Sequence, residues 1–402
     1  MKPTYDDIIK AAESRGDDVR VTPLVYSATF SRMSGSQVYL KSEFQQKTGS
    51  FKIRGAQYKI QTLTKDEKAK GVVAASAGNH AQGVAYASQK AGIHCTIVMP
   101  KTASPAKISA TREYGANVIL CGSNYEEASR RAQEIADGTG ATTIHAFDDP
   151  HIIAGQGVIG LEIMAEMPDV DEVYVPIGGG GLAAGVLLAI KQESPKTRIV
   201  GVQTSLFPAM HKSLAKGIVT KVGKRASIAD GMAVRVPGSI PFSIIREMID
   251  DIVLVDDTDL VKAMFLLLER SKLLVEPAGA AALAYVIKKR PAPNKKIVCI
   301  MGGGNVDMYL LGQIVDRGLA TMGRLLKVSM ILPDRPGIFK DIMDEIAAAN
   351  ANLVEMVHDR LSSAIDVGTV SVTVSLETEG RSSTEALIQA LRTKNIKFHI
   401  LT

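Results

Sequence analysis

The sequence predicts an α/β fold: a large region with parallel sheet in two parts, followed by a smaller β-α-β-β-α-β unit on a ferredoxin-like plan. Three observations carry this. From residue 71 short apolar runs alternate with helical stretches, the rhythm of strands that have helices on both faces. Several of those runs end in glycine-rich loops, at residues 76–83, 178–181 and 302–304. From Leu326 the pattern changes to longer alternating strands and amphipathic helices.

In order, residues 5–16 have an amphipathic pattern and predict a first helix, and Ser36–Lys41 alternates like a strand. Residues 56–69 predict a helix, and 71–75 a buried strand leading into a helix over 79–90. Strands at 94–100 and 116–120 and helices at 104–114 and 125–137 complete the first set. A second set begins near 155, with strands at 171–177, 197–203, 252–255 and 296–301 and helices at 182–191, 257–270 and from 276. In the tail, strands are expected at 326–332, 352–358, 367–376 and 396–401. One helix carries the stripe Ile338, Ile342, Ile346, with Pro336 suited to its first turn and Asn350 to its end; the other spans 382–394. A boundary is expected near 322–325, giving units 1–322 and 325–402, with a smaller part at about 53–154 inside the first.

Composition removes several classes of function. With 402 residues, 46% hydrophobic and 22% charged, this is ordinary globular composition with room for two or three domains. The net charge of +5 is spread along the chain, so neither a nucleic-acid arm nor a membrane-surface patch is expected. The three cysteines, Cys95, Cys121 and Cys299, are far apart, which supports neither a disulfide framework nor a zinc site. No apolar run has the length of a membrane span and no signal peptide is visible, so the expected location is the cytoplasm.

The chemistry centres on Thr48–Gly55, where Lys52 sits among small residues with Phe51 before it and Ile53 after it. A desolvated lysine loses proton affinity and makes a Schiff base to a carbonyl; the alternative is an ordinary exposed lysine. Gly178, Gly179, Gly180 and Gly181 lie between a strand and a helix start, where bare N–H groups and the helix dipole can cradle an anion. A dinucleotide fingerprint also fits Gly179, Gly181 and Ala184, but the next strand ends in Gln203-Thr204 without the acid that a ribose needs. A single phosphate is therefore favoured over NAD. Ser76, Ala77, Gly78, Asn79 and His80 join another strand to a helix start and suit a carboxylate, although Ser76 and Asn79 could be plain caps. His80 fits a supporting place better than a catalytic one. Together the three loops meet the needs of pyridoxal 5'-phosphate plus an amino acid.

With these phrases, plus Glu276–Gly279 and Gly303-Gly304-Asn305, the chain resembles the threonine/serine dehydratases, fold type II pyridoxal-phosphate enzymes, over roughly residues 5–320. The tail resembles an ACT regulatory domain, with Asp334-Arg335-Pro336-Gly337 as its signature. The resemblance implies that Lys52 carries the cofactor aldehyde and then removes the substrate's α-proton. It implies that Phe51 packs near the ring, Asn79 bonds its 3' oxygen and Gly178–Gly181 hold the phosphate. Residues 76–80 would bind the substrate carboxylate. The implied reaction is β-elimination of water from L-threonine, giving 2-oxobutanoate and ammonia, with L-serine to pyruvate as a second activity. An effector amino acid at Asp334, Arg335 and Gly337, a role in isoleucine synthesis, and a homodimer or homotetramer complete the expectation.

Three positions depart from the pattern. Gly302 stands where relatives place a serine against the pyridine nitrogen. Ala77 stands where racemases place a serine base, and Gln203 where relatives with a divalent cation have an acid, so no metal site is expected. The alternatives are a β-replacement enzyme resembling cysteine synthase and a ligand sensor on an inactive scaffold.

Overall fold

The computed structural model describes residues 1–361, 366–394 and 396–401. It forms two compact units, Met1–Asp307 and Met308–Thr402. The division falls ahead of the boundary expected at 322–325, because the helix Met308–Thr321 packs within the second unit, on the strand Leu325–Pro333.

The first unit contains two sheets. The larger has six strands in the order Leu24–Tyr26, Gln37–Lys41, Lys296–Ile300, Glu172–Pro176, Arg198–Thr204, Asp251–Val255, parallel throughout except for the antiparallel first pair. The smaller has four parallel strands, Asn117–Leu120, Cys95–Met99, Val72–Ala75 and Thr142–Thr143. All four lie inside the 53–154 segment. Central strands such as Cys95–Met99 and Glu172–Pro176 are buried along their whole length, as expected of sheets covered on both faces. The loops of interest leave the carboxyl ends of these strands, the edge at which open sheets bind ligands.

Some elements were not expected from the sequence. The helix Pro150–Glu166 is apolar nearly all round and carries Gly155, Gly157 and Gly160, so it lacks the polar face that would betray its period. The Asp149 carboxylate caps it by accepting from His151 and Ile152 N–H, with Pro150 in the first turn. Its glycines permit close approach: a methyl on Gly155 would stand 2.6 Å from Gly55 Cα, and one on Gly157 2.9 Å from the Gly185 carbonyl. The helix is thereby wedged between Lys52–Gln61 and Gly181–Glu193. The helices Ala28–Ser34, Ala209–Lys216 and Ser239–Met248 and the strand Leu24–Tyr26 also went unread. The expected helix over 56–69 is two, Lys52–Gln61 and Lys65–Lys70, because Thr64 and Glu67 form a capping box that restarts it.

The second unit is a four-stranded antiparallel sheet, Asn352–Asp359, Thr369–Glu377, Leu325–Pro333, Lys397–Ile400, with the helices Ile338–Ala348 and Arg381–Thr393, the expected β-α-β-β-α-β order. Alternate residues Leu326, Val328, Met330 and Leu332 are buried against Ile342, Ile346, Leu387 and Leu391. Asn350 has φ 51°, as expected beyond a helix end. Pro336 lies outside the helix: Gly337, at φ 90°, is the residue that precedes Ile338. No helix among the described residues is long and apolar enough to cross a membrane.

Candidate active site

Lys52 opens the helix Lys52–Gln61, whose Ala56 and Ile60 belong to the core of the smaller sheet. The loop before it is stitched to the far end of the larger sheet: Phe51 N–H donates to the Gly302 carbonyl (3.1 Å) and Gly304 N–H to the Gly49 carbonyl (2.9 Å). Lys52 Nζ donates to the Ala146 carbonyl at 3.1 Å and lies 5.2 Å from the centre of the Phe51 ring. Burial pushes its amine down to about 8, against a smaller opposing pull from Glu276. The residue as a whole is nonetheless part-exposed. That is the condition for a nucleophilic amine reachable by an aldehyde.

The other predicted loops converge on the same cleft. Lys52's partner Ala146 is followed by Phe147, which lies against Gly179 and Gly181, while Phe51 bonds Gly302 and Asn79 bonds Glu276; Phe51, Lys52, Ser76–Asn79, His145–Asp149, Gly178, Glu276 and Asn305 are all part-exposed. Ser76–Gly78 form the turn before the helix Asn79–Ala91, with Ser76 Oγ accepting from Gly78 N–H at 3.2 Å. His80 lies below that turn in the core. Its Nε2–H donates to the Ile144 carbonyl at 2.9 Å, and burial, with Lys52 adding to it, holds the ring neutral with a pKa of about 3. The imidazole therefore supports the loop from within.

Gly178–Gly181 run into the helix Gly181–Glu193, whose first-turn N–H groups have no partner within the helix. Each glycine also has a packing reason. A methyl on Gly178 would meet the Gly231 carbonyl at 2.8 Å; on Gly179 it would enter the Phe147 ring; on Gly181 it would stand 3.0 Å from Phe147 Cβ. Gly180 adopts φ 100°, a conformation that side chains resist. Close packing and an anion cradle thus call for the same bare backbone. Gln203 is fully buried, its amide accepting from His211 N–H and donating to the Ile177 carbonyl, and serves as a structural pin.

Four contributors to the cleft were not read as site residues: Glu276, Asn305, the stretch His145–Phe147 and the turn Asp230–Met232. Glu276 precedes Pro277 at a helix start, yet its side chain does not cap that helix. It accepts from Asn79 Nδ2 at 2.7 Å, while Asn79 Oδ1 accepts from Asn305 Nδ2 at 2.8 Å. An acid at a helix start followed by proline was visible in the sequence, but its neighbour is 197 residues away. No group of metal-ligating side chains occurs among the described residues.

An amine of lowered basicity on a part-exposed residue, a glycine-lined helix start and an amide with one N–H that takes no partner among the described residues fit the aldehyde, phosphate and phenolic oxygen of pyridoxal phosphate. The chain belongs to the pyridoxal-phosphate-dependent enzymes: the family model of that description matches residues 16–303. Among curated proteins it is 42% identical to an L-threonine ammonia-lyase of Thermotoga maritima, over 99% of each chain. Among solved structures it is similar to processed threonine deaminase isoform 2 of Solanum lycopersicum, with a TM-score of 0.76 at 36% identity, covering 80% of this chain and 91% of that one. It is also similar to maize serine racemase, with a TM-score of 0.75 at 34% identity, covering 80% and 99%.

Proposed function

We propose that this chain deaminates L-threonine to 2-oxobutanoate and ammonia, with L-serine as a second substrate. The observation that carries this is Lys52, an amine lowered by burial on a residue that stays part-exposed, at the start of a helix of the smaller sheet and next to Phe51, which bonds Gly302 beyond a strand of the larger. Full-length similarity to a threonine ammonia-lyase supports the choice of substrate. Bound pyridoxal phosphate supplies the electron sink that makes the substrate's α-proton acidic. Lys52 would hold the aldehyde, and its amine would be the base for that proton. Phe51 would pack by the ring, Asn79 would donate to its oxygen, and Gly178–Gly181 would hold the phosphate. In the loop Ser76–His80 the substrate carboxylate would be met by the N–H groups of Ala77, Asn79 and His80, since Ser76 N–H donates to the Val98 carbonyl and Gly78 N–H to Ser76 Oγ. Ala77 puts no hydroxyl where racemases place a serine base, so serine should be eliminated with little racemisation; D-serine forming as fast as pyruvate would contradict this.

The test is product analysis of the purified enzyme with threonine, and separately with O-acetylserine and sulfide. 2-Oxobutanoate from the first and no cysteine from the second is expected, with turnover and the borohydride-fixed cofactor adduct both lost in Lys52→Ala. Cysteine formation would favour β-replacement, and an adduct on another lysine would end the assignment.

For the second unit we propose an ACT regulatory role. Asp334, Arg335 and Gly337 occupy the first strand-to-helix turn; Asp334 pairs with Arg360 at 2.8 Å and Arg335 is exposed. The edge strand Asn352–Asp359 is exposed throughout and displays Leu353, Val354, Met356 and Val357, which suits pairing with a second copy in a dimer or tetramer. Because threonine deamination leads toward branched-chain amino acids, isoleucine is the effector to try first. The three unpaired thiols fit a reducing cytoplasm.

A further inference from the structure

We propose that Glu276 is a positioning residue for the reaction, fixing the amide of Asn79 in the one orientation that leaves an N–H for the cofactor ring. The inference rests on placing the cofactor against Asn79, and deepens that placement. An asparagine amide can be flipped at little cost unless its neighbours distinguish oxygen from nitrogen. Here they do. Asn305 Nδ2 donates at 2.8 Å both to the Thr48 carbonyl and to Asn79 Oδ1, so the oxygen side of Asn79 must face Asn305. Glu276 Oε1 accepts from Asn79 Nδ2 at 2.7 Å, so the nitrogen side must face Glu276. One of the two Nδ2 hydrogens is thereby used; among the described residues the other takes no protein partner.

Glu276 is itself held tightly. Its N–H donates to the Gly303 carbonyl at 3.0 Å, and a methyl on Gly303 would collide with its Oε1. A methyl on Gly49 would collide with Asn305 Oδ1. The glycines on both sides of this chain of amides leave room for its polar ends. Because Glu276 belongs to a helix of the larger sheet and Asn79 to one of the smaller, the contact also sets where the two halves of the cleft meet.

The carboxyl also acts on Lys52 through charge. Burial raises Glu276 to about 7, so it ionises within the neutral range; the hydrogen bond from Asn79 pulls it down, Asp230 on the turn Asp230–Met232 raises it, and Lys107 on the helix Pro105–Glu113 and Lys52 pull it down further. In return its anion favours the cationic form of the Lys52 nitrogen.

The experiment compares Glu276→Gln, Glu276→Ala and Asn79→Ala in the full chain. It reads the dissociation constant of pyridoxal phosphate on reloading the stripped protein, and the pH midpoint of the visible absorption of the loaded protein. Glu276→Ala should weaken cofactor binding by about tenfold or more, the worth of a hydrogen bond to a charged group. Glu276→Gln keeps an acceptor oxygen for Asn79 and should bind within about threefold of the parent. Its absorption midpoint should move to lower pH, because an anion near the Lys52 nitrogen is gone. If Glu276→Gln binds as weakly as Glu276→Ala, or its midpoint stays in place or rises, the proposal fails. If Asn79→Ala weakens binding while Glu276→Ala does not, it fails as well. If Asn79→Ala leaves affinity unchanged, the placement of the cofactor against Asn79 is wrong, and this inference goes with it.

Discussion

At the scale of single residues, the environment of Lys52 sets when it can react. An amine lowered to about 8 is half deprotonated more than two units below the ordinary lysine value of 10.5. The rate at which the stripped enzyme captures pyridoxal phosphate should therefore rise with pH around a midpoint near 8; a midpoint near 10.5 would mean that burial does not govern this amine. Gly302 offers a second test. A methyl there would sit 3.4 Å from Phe51 Cδ1 and 3.7 Å from Pro176 Cγ, ordinary contact distances, and its backbone does not take a positive φ. Gly302→Ser should fold normally and change kcat/KM by no more than about one hydrogen bond's worth, ~1 kcal/mol. A collapse of activity would show that the glycine serves the Phe51 packing itself. Lys52 and Gly302 were both legible in the sequence because each lies in a short contiguous phrase. Glu276 and Asn305 were legible as phrases only. Their partners sit on other elements, and no local spacing encodes a hydrogen bond across the fold.

At the scale of elements, the helix that presents Lys52 is anchored two residues later by Arg54. Its guanidinium is 3% exposed and binds two buried carboxylates: Nε and Nη2 donate to Glu43 at 2.7 and 2.8 Å, Nη1 and Nη2 to Glu162 at 2.7 and 2.8 Å. Lys41, fully buried, is a second cationic partner of Glu162 at 2.7 Å, and Arg15 a third at 3.5 Å. Burial alone would raise Glu162, but Arg54 and Lys41 outweigh it and hold the carboxyl below its usual range. Arg54→Met should cost about 3–5 kcal/mol at neutral pH, because it strands buried anions. A depressed carboxyl contributes stability that is present above its unfolded value and lost as pH falls through its folded one. The deficit of Arg54→Met should accordingly shrink below pH 4.5, where a protonated glutamate has no charge to strand. Denaturant unfolding of both proteins at pH 7 and pH 4 measures this; an equal deficit at both values would refute it. The ion cluster was illegible in sequence, since its members come from four separate elements and a turn. The helix Pro150–Glu166 was illegible for the opposite reason: a helix buried on every side has no alternation to read.

At the scale of the whole molecule, alternating strands and helices specified the two parallel sheets, and the change of pattern after residue 326 specified the antiparallel unit. Sequence patterning placed the junction late, because the helix Met308–Thr321 resembles the helices before it and its allegiance is set by packing. If the second unit senses an amino acid, Arg335→Ala should abolish the response of threonine turnover to isoleucine or valine while leaving turnover without effector unchanged. The two sites would share a coupling free energy of ~1–3 kcal/mol. Steady-state kinetics with and without each amino acid decide the matter. A parent enzyme indifferent to every amino acid tried would leave the unit an assembly module, to be seen as a change in molecular mass when Val354 and Met356 are made charged.

The helix bearing Lys52 packs into the core of the smaller sheet, while the glycine loop belongs to the larger. On the proposed function, a cofactor joined covalently to one and gripped through its phosphate by the other would be a removable strut. By mass action it stabilises the loaded form by ~2.7 kcal/mol when its concentration is a hundred times its dissociation constant. The supply of one small molecule would then govern how long the polypeptide survives: stripped chains should open more often and be cleared by proteases sooner. Enzyme abundance in a starved cell would track the vitamin even at constant synthesis.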